Sequence, residues 1–160
     1  MTKNKTTKTQ SDLSPVLMTE LVLPSHANAL GTVFGGVVMS WIDIAAAIAA
    51  QRYARSPVVT VSIDYLHFIN PIKVGYTVKI NAQVSYVGRT SMEVEVNVEA
   101  ENSITGECRP ATRAYLTFVA VDKSGKPIQV PSYEPKSKEE KSRYKQAEIR
   151  RKERLKAFRT

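Results

Sequence analysis

Apolar residues fill one stretch of this chain almost without a break and alternate with polar ones in several others. The continuous stretch is Gly35–Tyr53, GGVVMSWIDIAAAIAAQRY, about five helical turns long. Its alanines favour helix, and their small side chains let other backbone pack closely. A helix apolar nearly all round is expected to be buried on most sides. Ser56-Pro57 ends it, because the residue before proline is pushed toward extended backbone. Leu13 to Leu23 alternates loosely and predicts a first strand closing at Pro24. Val58–Phe68, VVTVSIDYLHF, is rich in β-branched and aromatic residues and predicts a strand in the centre of a sheet. Tyr76–Val87 and Ser91–Ala100 both alternate, and Gly88-Arg89-Thr90 joins them as a hairpin. On its second arm Met92, Val94, Val96 and Val98 point one way and Glu93, Glu95, Asn97 and Glu99 the other, so one face should be buried and one wet. Arg109–Asp122 predicts a last long strand.

Strand, long apolar helix, then four strands is an α+β order, met by an antiparallel sheet wrapped around one helix. From Ser132 the composition turns to Lys, Arg and Glu. Tyr144, Ala147, Arg151, Leu155 and Phe158 recur at helical spacing and predict a charged helix with one narrow apolar stripe. Its plainest role is to lie along its own subunit or a neighbour.

Composition narrows the function classes. At 160 residues, 42% apolar and 24% charged, the chain is an ordinary single domain. The net charge of +8 sits at the ends: residues 136–160 carry +7, residues 1–12 carry +2, and the middle is −1. That is not a nucleic-acid surface spread over a fold. Arg52 and Arg55 cut the longest apolar run short of membrane-spanning length. The N-terminus lacks the apolar core of a secretory signal, and residues 1–12 are expected to be disordered. The single cysteine, Cys108, rules out an internal disulfide and suits a reducing, cytoplasmic setting. No His/Cys cluster has the spacing of a metal site.

Candidate chemistry gathers at the apolar helix. Asp43 stands in its middle with no evident partner on the same helix, and a buried acid is costly unless something uses it. Gly36 lies seven residues earlier, so both share about one face, roughly 10 Å apart. First-turn N–H groups have no acceptor within the helix and carry partial positive charge. Glycine there lets a ligand carbonyl approach the backbone. Gly35-Gly36 therefore reads as an oxyanion site and Asp43 as a general base. A separation of about 10 Å is wide for one subunit, and a dimer that brings Asp43 of one chain to the glycine turn of the other would close it. Each signal also has a plainer reading: glycines for packing, an aspartate paired with a nearby loop, and His26 hydrogen-bonded within its own loop. There is no G-x-S-x-G, P-loop or dinucleotide fingerprint.

Together, HANALGTVFGGVVMSWID resembles the signature of the hotdog-fold acyl-CoA thioesterases, in particular the cytosolic acyl-CoA hydrolase group. The resemblance runs on through VVTVSIDYLHFINPIKVGY, YVGRTSMEVEVNV and RPATRAYLTFVAV, and covers about residues 17–131. It implies a hotdog domain over 13–133, flanked by the tail 1–12 and a basic helical extension over 134–160. Two hotdogs would share one continuous sheet, with sites at the dimer interface and further assembly as a trimer of dimers, a homohexamer. Asp43 would act as general base or nucleophile, and Asn28 from the opposing subunit would position water or substrate. Gly35 or Gly36 would donate its N–H to the thioester carbonyl. Arg89, Thr90 and Ser91 would meet the CoA phosphates, Thr60 and Val61 would border the pantetheine channel, and Arg113 would aid the nucleotide end. Coenzyme A is implied only as part of substrate and product, with no other cofactor, no metal, no nucleic acid and no membrane span. Trp41 departs from the group and would shorten the acyl pocket.

Two other functions fit parts of the pattern. A hotdog enoyl-CoA hydratase or dehydratase pairs a loop histidine with a helical acid, which His26 and Asp43 meet superficially. That class has a His-Phe-Pro loop that this chain lacks. A non-catalytic acyl-CoA-binding regulator would need a DNA-binding segment, and only the basic tail offers one.

Overall fold

The structure, a computed structural model, describes residues 11–157. Five strands form one antiparallel sheet: β1 (Val16–Leu21), β2 (Val58–Phe68), β3 (Thr77–Val87), β4 (Ser91–Asn102) and β5 (Glu107–Ala120), in the order β1-β3-β4-β5-β2. The helix α1 (Gly35–Ala54) lies against the inner face and touches every strand. A second helix, α2 (Lys138–Ala157), lies on the outer face. This is the α+β arrangement that the element order implies.

α1 forms where the sequence is apolar and stops where Arg55 turns left-handed at φ 53°, its N–H donating to the Gln51 carbonyl at 2.8 Å. Val38, Ile42, Ala45, Ala46, Ala49, Ala50 and Tyr53 are buried against Val94, Val96, Leu116 and Phe118 of the sheet. Burying Ile42 or Val38 contributes about 1.5–3 kcal/mol each, and the alanines let the helix axis approach the strands. Burial is not complete all round, however: Met39 and Ile44 are exposed in the single chain.

Four expectations are corrected. β2 is an edge strand and not a central one, paired to β5 alone. Its apolar run leaves Val59, Val61 (53% exposed) and Ile63 on the surface, because composition cannot tell a buried strand from one awaiting a neighbour. The first strand is shorter than Leu13–Leu23. The chain leaves the sheet after Leu21, and a 3-10 turn follows at Pro24–His26. The outer face of β4 is not uniformly wet: Glu93 is only 1% exposed, because α2 covers it. The stripe on α2 is also only partly used. Tyr144 and Ala147 face the sheet, Leu155 stays 43% exposed, and Phe158 lies outside the described residues.

Arginines dock α2 instead. Arg143 donates to Gln83, Arg150 to Glu93 at 2.7 Å, and Arg154 to Asp64 at 2.5 Å. Ser137 and Glu140 start the helix as a capping box: the Glu140 N–H donates to Ser137 Oγ and the Ser137 N–H to Glu140 Oε2. Residues 1–10 of the expected disordered tail lie outside the described residues; Asp12 follows them, with its N–H on the Arg52 carbonyl at 3.4 Å. Among the described residues no helix is long and apolar enough to cross a membrane.

Candidate active site

Asp43 sits two turns into α1, on the side of the helix that faces β2. It is half-buried and not alone: Thr60 Oγ1 donates to its Oδ1 at 2.8 Å. As expected, the partner is not on the same helix; it stands on strand β2. Thr60 lies 17 residues further along the chain, so no local pattern announces the pair. Oδ2 carries no hydrogen bond among the described residues, which leaves one carboxylate oxygen open to accept a proton. Thr60 stands beside a register break, with Val61 the unpaired residue between Thr60 and Ser62. A bulge of this kind re-aims side chains at an edge. Here it exposes Val61 and turns the Thr60 hydroxyl to α1.

At the other end of the site, α1 begins without a side-chain cap. The Phe34 carbonyl accepts from the Val37 and Val38 N–H groups at 2.9 and 3.4 Å, so the Gly35 and Gly36 amides head the helix with no intrahelical acceptor. A side chain at either glycine would press on a neighbouring aromatic ring. A Cβ on Gly36 would lie 2.6 Å from the Phe34 ring, and one on Gly35 would lie 3.2 Å from that of Phe68. Val33, Gly35, Val38, Phe68 and Ile72 line an open apolar recess next to this helix start.

The loop before α1 is built on Asn28. Its Oδ1 accepts from the Leu30 N–H at 2.9 Å and the Thr32 N–H at 3.3 Å, and its Nδ2 donates to Thr32 Oγ1 at 3.0 Å. Its own backbone closes the same turn, and Gly31 takes φ 73° there. Asn28 is exposed, and within one chain its bonds among the described residues stay in that loop rather than reaching Asp43. His26 is spent locally as well. Its Nδ1 accepts from the Leu23 N–H at 3.2 Å, and its ring meets Trp41 edge-on at 5.2 Å. Trp41 is buried in the core cluster.

The remaining candidates are spread out. Arg89 and Thr90 form the β3–β4 hairpin tip. Their carbonyls accept from Val130 and Ala120, and the Gly88 N–H donates to the Ser91 carbonyl at 2.8 Å. The Arg89 side chain is exposed. Arg113 projects from the outer face of β5 and donates to Asn97 Oδ1 at 2.8 Å, on the opposite side of the sheet from α1. One chain therefore joins Asp43 to Thr60 and leaves Asn28, Arg89–Ser91 and Arg113 at separate places.

Comparison with known proteins identifies the family. Residues 30–107 match the model of the thioesterase superfamily. The uncharacterized acyl-CoA thioester hydrolase YkhA of Bacillus subtilis is 43% identical over 127 residues, 79% of this chain and 74% of that protein. An apo-hexameric acyl-CoA thioesterase superposes with a TM-score of 0.87 at 45% identity, covering 92% of this chain and 95% of the other. The acyl-CoA hydrolase of Staphylococcus aureus, solved with butyryl coenzyme A, coenzyme A and coenzyme A disulfide, superposes at 0.82 and 41% identity over 92% of this chain and 89% of its own. Further structures of the Staphylococcus aureus enzyme carry Asp43Ala, Thr60Ala or Asn28Ala, residue types that this chain has at the same numbers. The chain belongs to the thioesterase superfamily and, within it, to the hotdog-fold acyl-CoA thioester hydrolases.

Proposed function

We propose that this protein hydrolyses the thioester of acyl-CoA to a free carboxylic acid and coenzyme A, with Asp43 as the group that activates the attacking water. The observation that carries this reading is the Asp43–Thr60 pair. The threonine hydroxyl fixes one carboxylate oxygen, and the other carries no hydrogen bond among the described residues, beside the edge strand β2. A held carboxylate with a free oxygen is suited to take a proton from water as water adds to the carbonyl carbon. The amide of Gly36, or of Gly35, would then stabilise the developing oxyanion, a contribution of about 10²–10³ in rate for one donor. Collapse of that intermediate breaks the C–S bond, and the proton returns to the departing thiolate. Direct attack by Asp43 on the thioester is the nucleophilic form of the same reaction.

Asn28 enters from the opposing subunit in this reading. The exposed apolar edge supports such a dimer: Val59, Val61 and Ile63 on β2 and Met39 and Ile44 on α1 form a surface that a second copy, pairing β2 against β2, would cover. Three such dimers would give a hexamer. The Asn28 hydrogen bonds keep its loop rigid, so that a single geometry is offered across the seam. Arg89, Thr90 and Ser91 would receive the CoA phosphates, Thr60 and Val61 would flank the pantetheine, and Arg113 would reach the nucleotide end from a neighbouring subunit. No further cofactor is needed for this chemistry. An exposed free Cys108 suits a cytoplasmic enzyme. The hydratase reading is weaker, because His26 spends Nδ1 on a backbone N–H.

The test is Asp43→Ala in full-length protein. CoA release from acyl-CoA should fall by about 10²–10⁴, with the circular dichroism spectrum and oligomer size kept. Turnover at the wild-type rate would remove Asp43 from the chemistry.

A further inference from the structure

β2 carries the hydroxyl that holds Asp43, yet it is poorly supported. It pairs with β5 on one side only, and its register breaks twice, between Thr60 and Ser62 and between Asp64 and His67. Ser62, Ile63 and Asp64 are the paired residues between the two breaks. At the second break Tyr65 takes φ 54°, a left-handed conformation that bulky residues rarely adopt. Contacts outside the strand must hold it there. They come from the last turns of α2: Arg154 Nη1 donates to Asp64 Oδ2 at 2.5 Å, and Tyr65 donates its hydroxyl to Glu153 Oε2 at 2.8 Å. α2 is fixed in turn by Glu93, buried on β4. Glu93 accepts from Ser85 Oγ at 2.7 Å and from Arg150 at 2.7 and 3.2 Å, and it lies 3.8 Å from Arg154.

We propose that α2 is a clamp on β2, with Arg154 and Glu153 as positioning residues for the active site. They fix the second bulge, and through the three paired residues before it they fix the register that aims Thr60 at Asp43. A one-residue slip there would turn Thr60 to the other face of the strand. A helix that merely covered the sheet would need contacts to β3 and β4 alone. α2 instead spends its last turns on the bulge of the edge strand. The proposal rests on the hydrolase reading only in taking Asp43 and Thr60 as its site.

The experiment measures peptide-resolved amide hydrogen exchange and steady-state hydrolysis of butyryl-CoA on the full-length protein. Arg154→Ala and Tyr65→Phe should each speed exchange in residues 58–64 by about tenfold, the scale set by one lost charge-assisted bond. Both should lower kcat by about three- to tenfold while KM stays within about twofold. Arg154→Lys, which keeps the charge, should restore most of both effects. Lys156→Ala, on the exposed side of the same turn, should change neither. Unchanged exchange in residues 58–64 would overturn the proposal, and so would faster exchange there with kcat intact. If Arg154→Ala fails to fold, Tyr65→Phe, which removes one hydroxyl from an exposed residue, carries the test. If the wild-type protein releases no CoA from any acyl-CoA, the hydrolase reading fails, and the exchange measurement alone decides the clamp.

Discussion

α1 and α2 are each 20 residues long and lie on opposite faces of one sheet, yet different forces place them. α1 is held by apolar packing. Eight of its residues are buried, and among the described residues its side-chain ties to the rest of the fold are the Thr60 hydroxyl on Asp43 and the Tyr53 hydroxyl on the Pro131 carbonyl, with one backbone bond from the Asp12 N–H to the Arg52 carbonyl. α2 has one buried residue, Ala147, and is held by Arg143, Arg150 and Arg154 on acidic and amide side chains of the sheet. Arg150 also stacks over the Tyr115 ring at 3.7 Å. Packing fixes where α1 sits and tolerates one polar group put to use. Ion pairs fix where α2 sits and demand that every partner be present.

Glu93 tests that demand most severely. Its side chain is buried beneath two guanidinium groups, Arg150 and Arg154. Glu93→Ala would leave Arg150 without its carboxylate and Arg154 with Asp64 alone. Removing one partner of a buried pair costs about 3–5 kcal/mol, more than the pair contributes over an apolar substitute. Urea unfolding should show a loss of that size, with α2 exchanging first. Replacing Glu93, Arg150 and Arg154 together by methionine or leucine should recover most of the stability. A Glu93→Ala loss under about 1 kcal/mol would mean that the pairs behave as surface ones, and the contrast between the helices would collapse.

α1 should fail in the opposite way, through added volume rather than lost charge. Ala46 is fully buried between α1 and the strands. Ala46→Leu forces extra methylenes into a close-packed seam and should cost about 1–3 kcal/mol in the same unfolding experiment. Because α1 carries Asp43, the displaced helix should also lose the Thr60 bond and with it activity. Full turnover in Ala46→Leu would show that α1 has slack that its packing does not suggest.

This contrast explains how far the sequence could be read. α1, the hairpin and the last strand are encoded locally, in alanine content and alternation, and each lies within a few residues of its expected place. The glycine turn was legible for the same reason, since Gly35, Gly36 and Asp43 share one helix. Thr60 entered only through resemblance to a family, as a border of the pantetheine channel, and its bond to Asp43 was not legible, because 17 residues and a strand bulge separate the two. The docking of α2 was not legible. Its partners Glu93 and Asp64 lie 57 and 90 residues from the arginines that reach them. An apolar stripe through Tyr144, Ala147, Arg151 and Leu155 is a one-residue rotation from the face through Arg143, Ala147, Arg150 and Arg154. Spacing alone could not choose between them. β2 misled for a related reason: an exposed apolar edge strand has the composition of a covered one.

The smallest expected effect compares the helices through one tyrosine on each. Burial, and then the nearby Tyr133 hydroxyl, pushes Tyr53 on α1 up to about 12 from an ordinary 10. Burial, and then Tyr86, pushes Tyr144 on α2 up to about 12 as well. Below pH 10 both groups are protonated whether the chain is folded or not, and neither makes stability depend on pH. Between pH 10 and 12 the unfolded chain sheds protons that the folded chain keeps, so stability falls as pH rises through that window. Phenolate absorbance across an alkaline titration should show these two hydroxyls ionising above the ordinary tyrosine range. Tyr53→Phe should remove one late step and cost about 0.5–1.5 kcal/mol, because the hydroxyl donates to Pro131 at 2.8 Å. Tyr144→Phe should remove the other at less cost, since its bond to the Val87 carbonyl is 3.4 Å long and the arginines keep α2 docked. If Tyr144→Phe proved the more damaging, α2 would owe its place to the Tyr144 hydroxyl more than to its arginines, and the division between a packed helix and a paired one would have to be redrawn.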